Sequence, residues 1–356
     1  FTSQFLFSSS HSLSAMDRCS GMVLLSGNSH PELSRLVAER LGIPQGDAVV
    51  YNNTCSETTV NIKESVRSKH VFILQTGTKN VNNDIMEMLI LIYACRTSTA
   101  KSITVVIPYL PYSKQCRVVR RSSIAIKLIA DLIDKTGACR VVSMDLYKKE
   151  LQGFFSIPVD NLRAIHLIIP FIRENVSDFK NAVIVAKNPE VLPKAASYSE
   201  KLKCGVAVIH GTYECDRQAA AEPSLPDNAT TDDSKSAMSP PLSLVGDVSG
   251  KIAIVVDNII DEAHSFVEAA ELLKTRGAYK VYVVGTHGLL SGDAPAIIED
   301  SFITQVIVTN TVPHDLQKMR SHKIRTVDIS SLLCEAIRRI YHNESMGILF
   351  REMQEH

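Results

Sequence analysis

Asp134-Lys135-Thr136-Gly137-Ala138-Cys139-Arg140-Val141 and Lys274-Thr275-Arg276-Gly277-Ala278-Tyr279-Lys280-Val281 share one plan. Each closes an amphipathic stretch with Gly, continues through Ala and a basic residue, and opens a β-branched run. A Gly just past the last periodic residue is the left-handed stop of a helix. The two glycines stand 140 residues apart, about one domain at the usual ~100–200 residues per domain. Every helix-to-strand turn favours Gly, so two unrelated turns would also look like this. Taken with the chain length, the pair predicts two related α/β domains that meet near residues 160–166.

Working outward, short apolar runs alternate with helical patterns. Ile103–Ile107, Arg140–Met144, Ala182–Ala186, Val206–Ile209, Ile252–Val256 and Val281–Val284 read as buried parallel strands. Ser122–Lys135, Pro189–Lys203, His264–Arg276 and Ser330–Tyr341 read as helices. That alternation predicts open, mostly parallel sheets flanked by helices.

Composition sets outer limits. The 356 residues are 45% hydrophobic and 21% charged, as in an ordinary globular protein. Lys+Arg and Asp+Glu are both 38, which argues against broad capture of nucleic acid or anionic membrane. No apolar run reaches the ~20 residues of a membrane span. The eight cysteines are scattered, with no Cys-x-x-Cys pair. Their pattern favours a reducing, cytoplasmic setting over a disulfide framework or zinc site.

Two segments break the pattern. Residues 1–15 are serine-rich and lack the Arg of a transit peptide or the basic start of a secretory signal. They read as a disordered, non-native leader ahead of Met16, with a processed targeting segment as the alternative. Residues 212–243 hold four prolines, six acidic and two basic residues and no apolar period. Such a segment cannot bury enough surface to offset its ordering entropy, and is expected to be a disordered acidic insert. Within it, Ser239-Pro240 is a candidate phosphorylation site, or simply an unmodified serine.

Several stretches resemble the phosphoribosyl pyrophosphate synthetases. They are Asn61–Arg67, Val71–Gln75, Val106–Tyr109 with Tyr112–Gln115, Asp145-Leu146, Gln152–Phe155 leading to Pro158–Asn161, Thr286-His287 with Ser291-Gly292, Val308–Pro313 and Glu335–Ile340. The resemblance runs from about residue 22 to about 350. It implies two tandem type I phosphoribosyltransferase-like domains, at 16–165 and 166–328, with a C-terminal helix at 329–356 that packs back on the first. Those enzymes transfer diphosphate from ATP to ribose 5-phosphate with Mg²⁺.

The residues that such chemistry needs are altered. Where the synthetases read Asp-Asp-x-x-x-Thr-Gly-Gly-Thr, this chain reads Asp257-Asn258-Ile259-Ile260-Asp261-Glu262-Ala263-His264-Ser265. Phosphate binding at a helix N-terminus wants close backbone N–H groups, which the glycines allow. Both glycines are gone, and Glu262 brings a like charge to the anion position. Asp261 reads either as a retained catalytic carboxylate or as a helix cap. Tyr147 replaces a His of the ATP and metal site. Asn188 replaces the acid of a Ser-Pro-Asp-x-Gly-Gly loop, here Ala186–Val191. Of the nucleotide-binding Phe-x-Asp-Gly-Glu stretch only Glu57 remains. Lys114 replaces an Arg beside Gln115, without its planar contacts. The insert stands where the synthetases carry a short basic catalytic loop.

A preserved scaffold with a degraded site is similar to the phosphoribosyl pyrophosphate synthetase-associated proteins. That resemblance implies a non-catalytic regulatory subunit. Its partners would be catalytic synthetase subunits, in a hetero-oligomer with some self-association, and no cofactor would be required. Phosphate or allosteric contacts would fall on Ser123, Thr286 and His287, although a structural histidine at a strand end is the favoured explanation of His287. Gln152–Phe155 reads as either contact surface or core. The competing reading is an active diphosphokinase that uses Mg²⁺ and nucleotide. A nucleobase phosphoribosyltransferase needs the same missing glycines.

Overall fold

In the computed structural model, residues 21–118, 121–211, 213 and 242–350 are described. The leader 1–15 and Ser239 lie outside them. The chain divides into two units. Unit 1 runs to Arg163 and also takes up Thr311–Pro313 and the residues from Asp328 on, and unit 2 is Ala164–Asn310 with His314–Val327.

Unit 1 begins β1 (Met22–Ser26), α1 (Pro31–Leu41) and a hairpin of β2 (Ala48–Asn52) and β3 (Thr58–Ile62). It continues with β4 (His70–Leu74), α2 (Val81–Thr97), β5 (Ser102–Ile107), α3 (Ala125–Thr136), β6 (Arg140–Met144) and β7 (Val159–Leu162). Its main sheet is parallel, in the order β1-β4-β5-β6-β7. Helix α3 starts at Ala125 rather than Ser122, and Ser123 lies exposed ahead of it.

Unit 2 contains α4 (Ile165–Asn175), β8 (Ala182–Ala186), α5 (Leu192–Leu202), β9 (Gly205–His210), β10 (Ser243–Val245) and β11 (Ile252–Ile260). Then come α6 (His264–Thr275), β12 (Lys280–Gly288), α7 (Ala294–Glu299), β13 (Gln305–Thr309), α8 (Asp315–Arg320) and β14 (Ile324–Val327). The sheet order is β10-β9-β8-β11-β12-β13-β14, parallel apart from the β9–β10 pair. From β8 the chain first moves to one side, then crosses back and proceeds the other way from β11. The reversal leaves a crevice at the C-terminal ends of β8 and β11, the usual ligand position in open α/β sheets.

The paired turns behave alike in detail. Gly137 (φ +116°) and Gly277 (φ +87°) both sit in the left-handed region. Gly137 N donates to Asp134 O and Ala138 N to Ile133 O, and Gly277 N and Ala278 N do the same to Lys274 O and Leu273 O.

Three expectations need correction. The second domain is not continuous over 166–328, because Thr311–Pro313 belong to unit 1, where Thr76 Oγ1 donates to Thr311 O at 2.7 Å. Of the expected insert 212–243 only Tyr213, Leu242 and Ser243 are among the described residues, so the disorder expected of the rest lies outside them, and these three are ordered. Tyr213 is buried, with its hydroxyl donating to Lys187 O at 2.6 Å, and Ser243 opens β10 against β9. Helix α5 begins at Leu192, not Pro189, because residues 189–191 form a tighter turn capped by Asn188. The C-terminal helix α9 (Ser330–Tyr341) packs on α1 within unit 1.

Gln75, the last residue of a quoted motif, anchors a buried polar network. It accepts from Ser29 Oγ at 2.8 Å and donates to Glu87 Oε2 and Asp84 O, both at 3.1 Å. Glu87 also accepts from Asn28 N and Nδ2. Burial holds the Asp84 carboxyl above its usual range, with nearby Glu87 adding repulsion and two hydrogen bonds from Thr78 opposing the shift. A raised folded-state pKa means that the fold favours the protonated acid. Stability is therefore lost as pH rises from the ordinary Asp range through the raised value. Asp84→Asn is expected to gain on the native protein in thermal melts at neutral pH, and the gain should shrink towards pH 4. A gain that grows on acidification would contradict this.

Candidate functional site

The crevice of unit 2 is built from the end of β11, the turn after β8, the first turn of α5 and the C-terminal part of β12. Asp257 and Asn258 belong to β11, which runs on to Ile260 and stays paired with β12 as far as Gly288. The expected loop over 257–265 is thus strand for its first four residues. The apolar pair Ile259-Ile260 explains this, because both side chains are buried.

Two lysines fill the crevice. Lys187 Nζ lies 3.6 Å from Asp257 Oδ2, with both side chains largely buried. The same ammonium stands 4.0 Å from the Phe266 ring centroid and 5.5 Å from that of Tyr213, so two π faces join the carboxylate in holding it. Lys194 Nζ donates to Asp257 O at 2.9 Å, Asn258 Oδ1 at 2.6 Å and Thr286 Oγ1 at 3.1 Å.

The residues that the resemblance assigns to a phosphate loop stand at the start of α6. Ala263 occupies the N-cap position without a side-chain cap bond, and its methyl is fully buried in the core. Glu262 and His264 point outward as exposed residues, and Ser265 is half-buried. Asp261 is not a cap. It precedes Ala263 by two residues, and its Oδ1 is buried without a hydrogen-bond partner among the described residues. Asn188 spends its carboxamide oxygen on Val191 N at 3.1 Å.

The other predicted positions are dispersed. Thr286 meets Lys194, whereas His287 is buried in β12. Glu57, Lys114, Gln115, Tyr147 and Ser123 all belong to unit 1. Glu57 closes the β2–β3 hairpin, accepting from Asn53 Nδ2 at 3.1 Å. Ser56 stands there at φ +63°, in the place of the synthetases' Gly. Lys114 and Gln115 are exposed, and Tyr147 packs against the unit 1 core. Phe155 is core while Gly153 is exposed, so the Gln152–Phe155 stretch serves packing at least at its end.

The Asp257 carboxylate, the Asn258 amide oxygen and the Thr286 hydroxyl are thus engaged by ammonium groups. Oxygens of this kind suit a hard cation, but here the two lysine ammonium groups already occupy them. Among the described residues no three His, Cys, Asp or Glu converge to hold one, and no helix is long and apolar enough to cross a membrane. The sequence reading missed Lys194. Its signal was a cation in the first turn of a helix, where the dipole disfavours it.

Residues 22–137 match the N-terminal domain of ribose phosphate pyrophosphokinase, and residues 178–351 match the phosphoribosyl synthetase-associated domain. The chain is 52% identical to phosphoribosyl pyrophosphate synthase-associated protein 2 of Bos taurus, covering 94% of each. It is 50% identical to phosphoribosyl pyrophosphate synthase-associated protein 1 of Mus musculus, over 90% of this chain and 93% of that protein. Ribose-phosphate pyrophosphokinase 2 of Schizosaccharomyces pombe is 41% identical over 92% of this chain and 96% of its own. The solved structure of phosphoribosylpyrophosphate synthetase from Mycobacterium smegmatis superposes with a TM-score of 0.81 at 33% identity, covering 91% of this chain and 99% of that one.

Proposed function

The chain belongs to the phosphoribosyl pyrophosphate synthase-associated family, and from that premise we propose that it is a non-catalytic regulatory subunit of ribose-phosphate diphosphokinase. It joins catalytic subunits in a cytoplasmic hetero-oligomer and modulates the supply of phosphoribosyl pyrophosphate for nucleotide synthesis. It requires no metal or nucleotide of its own.

One observation carries the non-catalytic part. Where a ribose 5-phosphate would need close backbone N–H groups, the chain places a fully buried alanine methyl and an exposed glutamate. A residue with a Cβ at that position hinders the close backbone approach to a phosphate that glycine allows. The Glu262 carboxylate opposes the anion at the same helix terminus.

Association is tested by co-expressing this chain with a catalytic synthetase, purifying through a tag on one of them, and weighing the complex by native mass spectrometry. Mixed assemblies containing both chains are expected. Only separate homo-assemblies would contradict the proposal.

A further inference from the structure

An ammonium carries three N–H donors, and among the described residues Lys194 donates to Asp257 O, Asn258 Oδ1 and Thr286 Oγ1. None of the three is a carboxylate oxygen, because the Asp257 carboxylate faces Lys187. Lys194 reaches them from the first turn of α5, on the β8 side of the reversal, while all three lie on β11 and β12. Helix formation does not explain a cation at that position, since the exposed N–H groups of the first turn repel it.

We infer that these three oxygens form a monovalent-cation site of the ammonium type, which the chain fills with its own Lys194, and that this occupant locks α5 to β11 and β12 across the crevice. A degraded substrate site need not be filled; here it is bridged. The role of the lock within the protein rests on the non-catalytic reading. Its test reads thermal stability alone, so its failure would leave that reading standing.

Lys194→Ala removes the side chain beyond Cβ, a fragment that n-propylammonium reproduces. Lys194→Met keeps an unbranched chain and removes the charge. Both variants are expected to melt lower than the native protein by about 2–4 °C. Millimolar n-propylammonium should raise the melting temperature of Lys194→Ala saturably, and that of the native protein and Lys194→Met far less. Tetramethylammonium, which has the charge but no N–H, should not rescue. Asn258→Asp supplies an independent reading, because a carboxylate opposite Lys194 should raise the melting temperature in the native background and not in Lys194→Met. Native-like melting of Lys194→Met would overturn the inference. So would equal response of all three proteins to n-propylammonium, or an Asn258→Asp effect indifferent to Lys194.

Discussion

Phe266→Ala is expected to cost about 3–5 kcal/mol, the range for removing a buried aromatic ring from a core. Phe266 is 2% exposed and lies in the first turn of α6. Its ring packs among the apolar side chains of unit 2, beside Ala263, Ala269, Ala270 and Leu273. One face of that ring also carries the Lys187 ammonium at 4.0 Å. The substitution therefore opens a cavity and withdraws the platform beneath a largely buried cation. Phe266→Leu separates the two contributions. It keeps most of the apolar volume and loses the π face, so the expected cost falls to about 1–2 kcal/mol. In a Lys187→Met background the Phe266→Leu cost should shrink further, since no cation remains to be held. Urea unfolding of the five proteins, the native chain, Phe266→Ala, Phe266→Leu, Lys187→Met and the Lys187→Met/Phe266→Leu double variant, measures these values. A cost for Phe266→Ala below about 1 kcal/mol would place the ring outside the core.

Leu333→Ala should cost about 2–5 kcal/mol, as for other buried leucines. In α9, Ser330, Leu333, Ala336 and Ile337 share one face and are fully buried. That face meets α1, where Leu33 and Val37 are equally buried. Polar ties frame the contact: Arg40 donates to Ser330 Oγ at 2.6 Å and to Asp328 Oδ2 at 3.0 Å. The Arg40–Asp328 pair is half-exposed, and exposed pairs contribute only about 0–1 kcal/mol. Arg40→Ala is thus the weak variant and Leu333→Ala the strong one. Denaturation midpoints that reverse this ranking would mean that polar bonds, not apolar burial, hold the C-terminal helix to unit 1.

Some elements were legible in the residues and others were not, for physical reasons. Buried parallel strands such as Ala182–Ala186 and Arg140–Met144 announce themselves because both faces are covered, leaving continuous β-branched runs. Helices α3, α6 and α9 show one apolar face. Helix α2 escaped because its Ile-Leu-Ile run is buried on several sides, which leaves no helical period to detect. Three-residue β10 is too short to show alternation.

The same division holds in the crevice. Asp257, Asn258 and Thr286 stood out because they fall in family motifs. Lys194 did not, because its acceptors lie 63, 64 and 92 residues away along the chain. Comparing motifs reports which groups are missing; only the fold reports what fills their place. Ala263 illustrates the difference. As a residue it is a lost glycine, whereas in the fold it is a piece of core.

Turnover is the most direct test of a non-catalytic subunit. Homogeneous chain, free of any contaminating synthetase, is incubated with ATP, Mg²⁺ and ribose 5-phosphate, and the mixture is assayed for phosphoribosyl pyrophosphate. No product above the enzyme-free control is the predicted result; clear, chain-dependent turnover would contradict it.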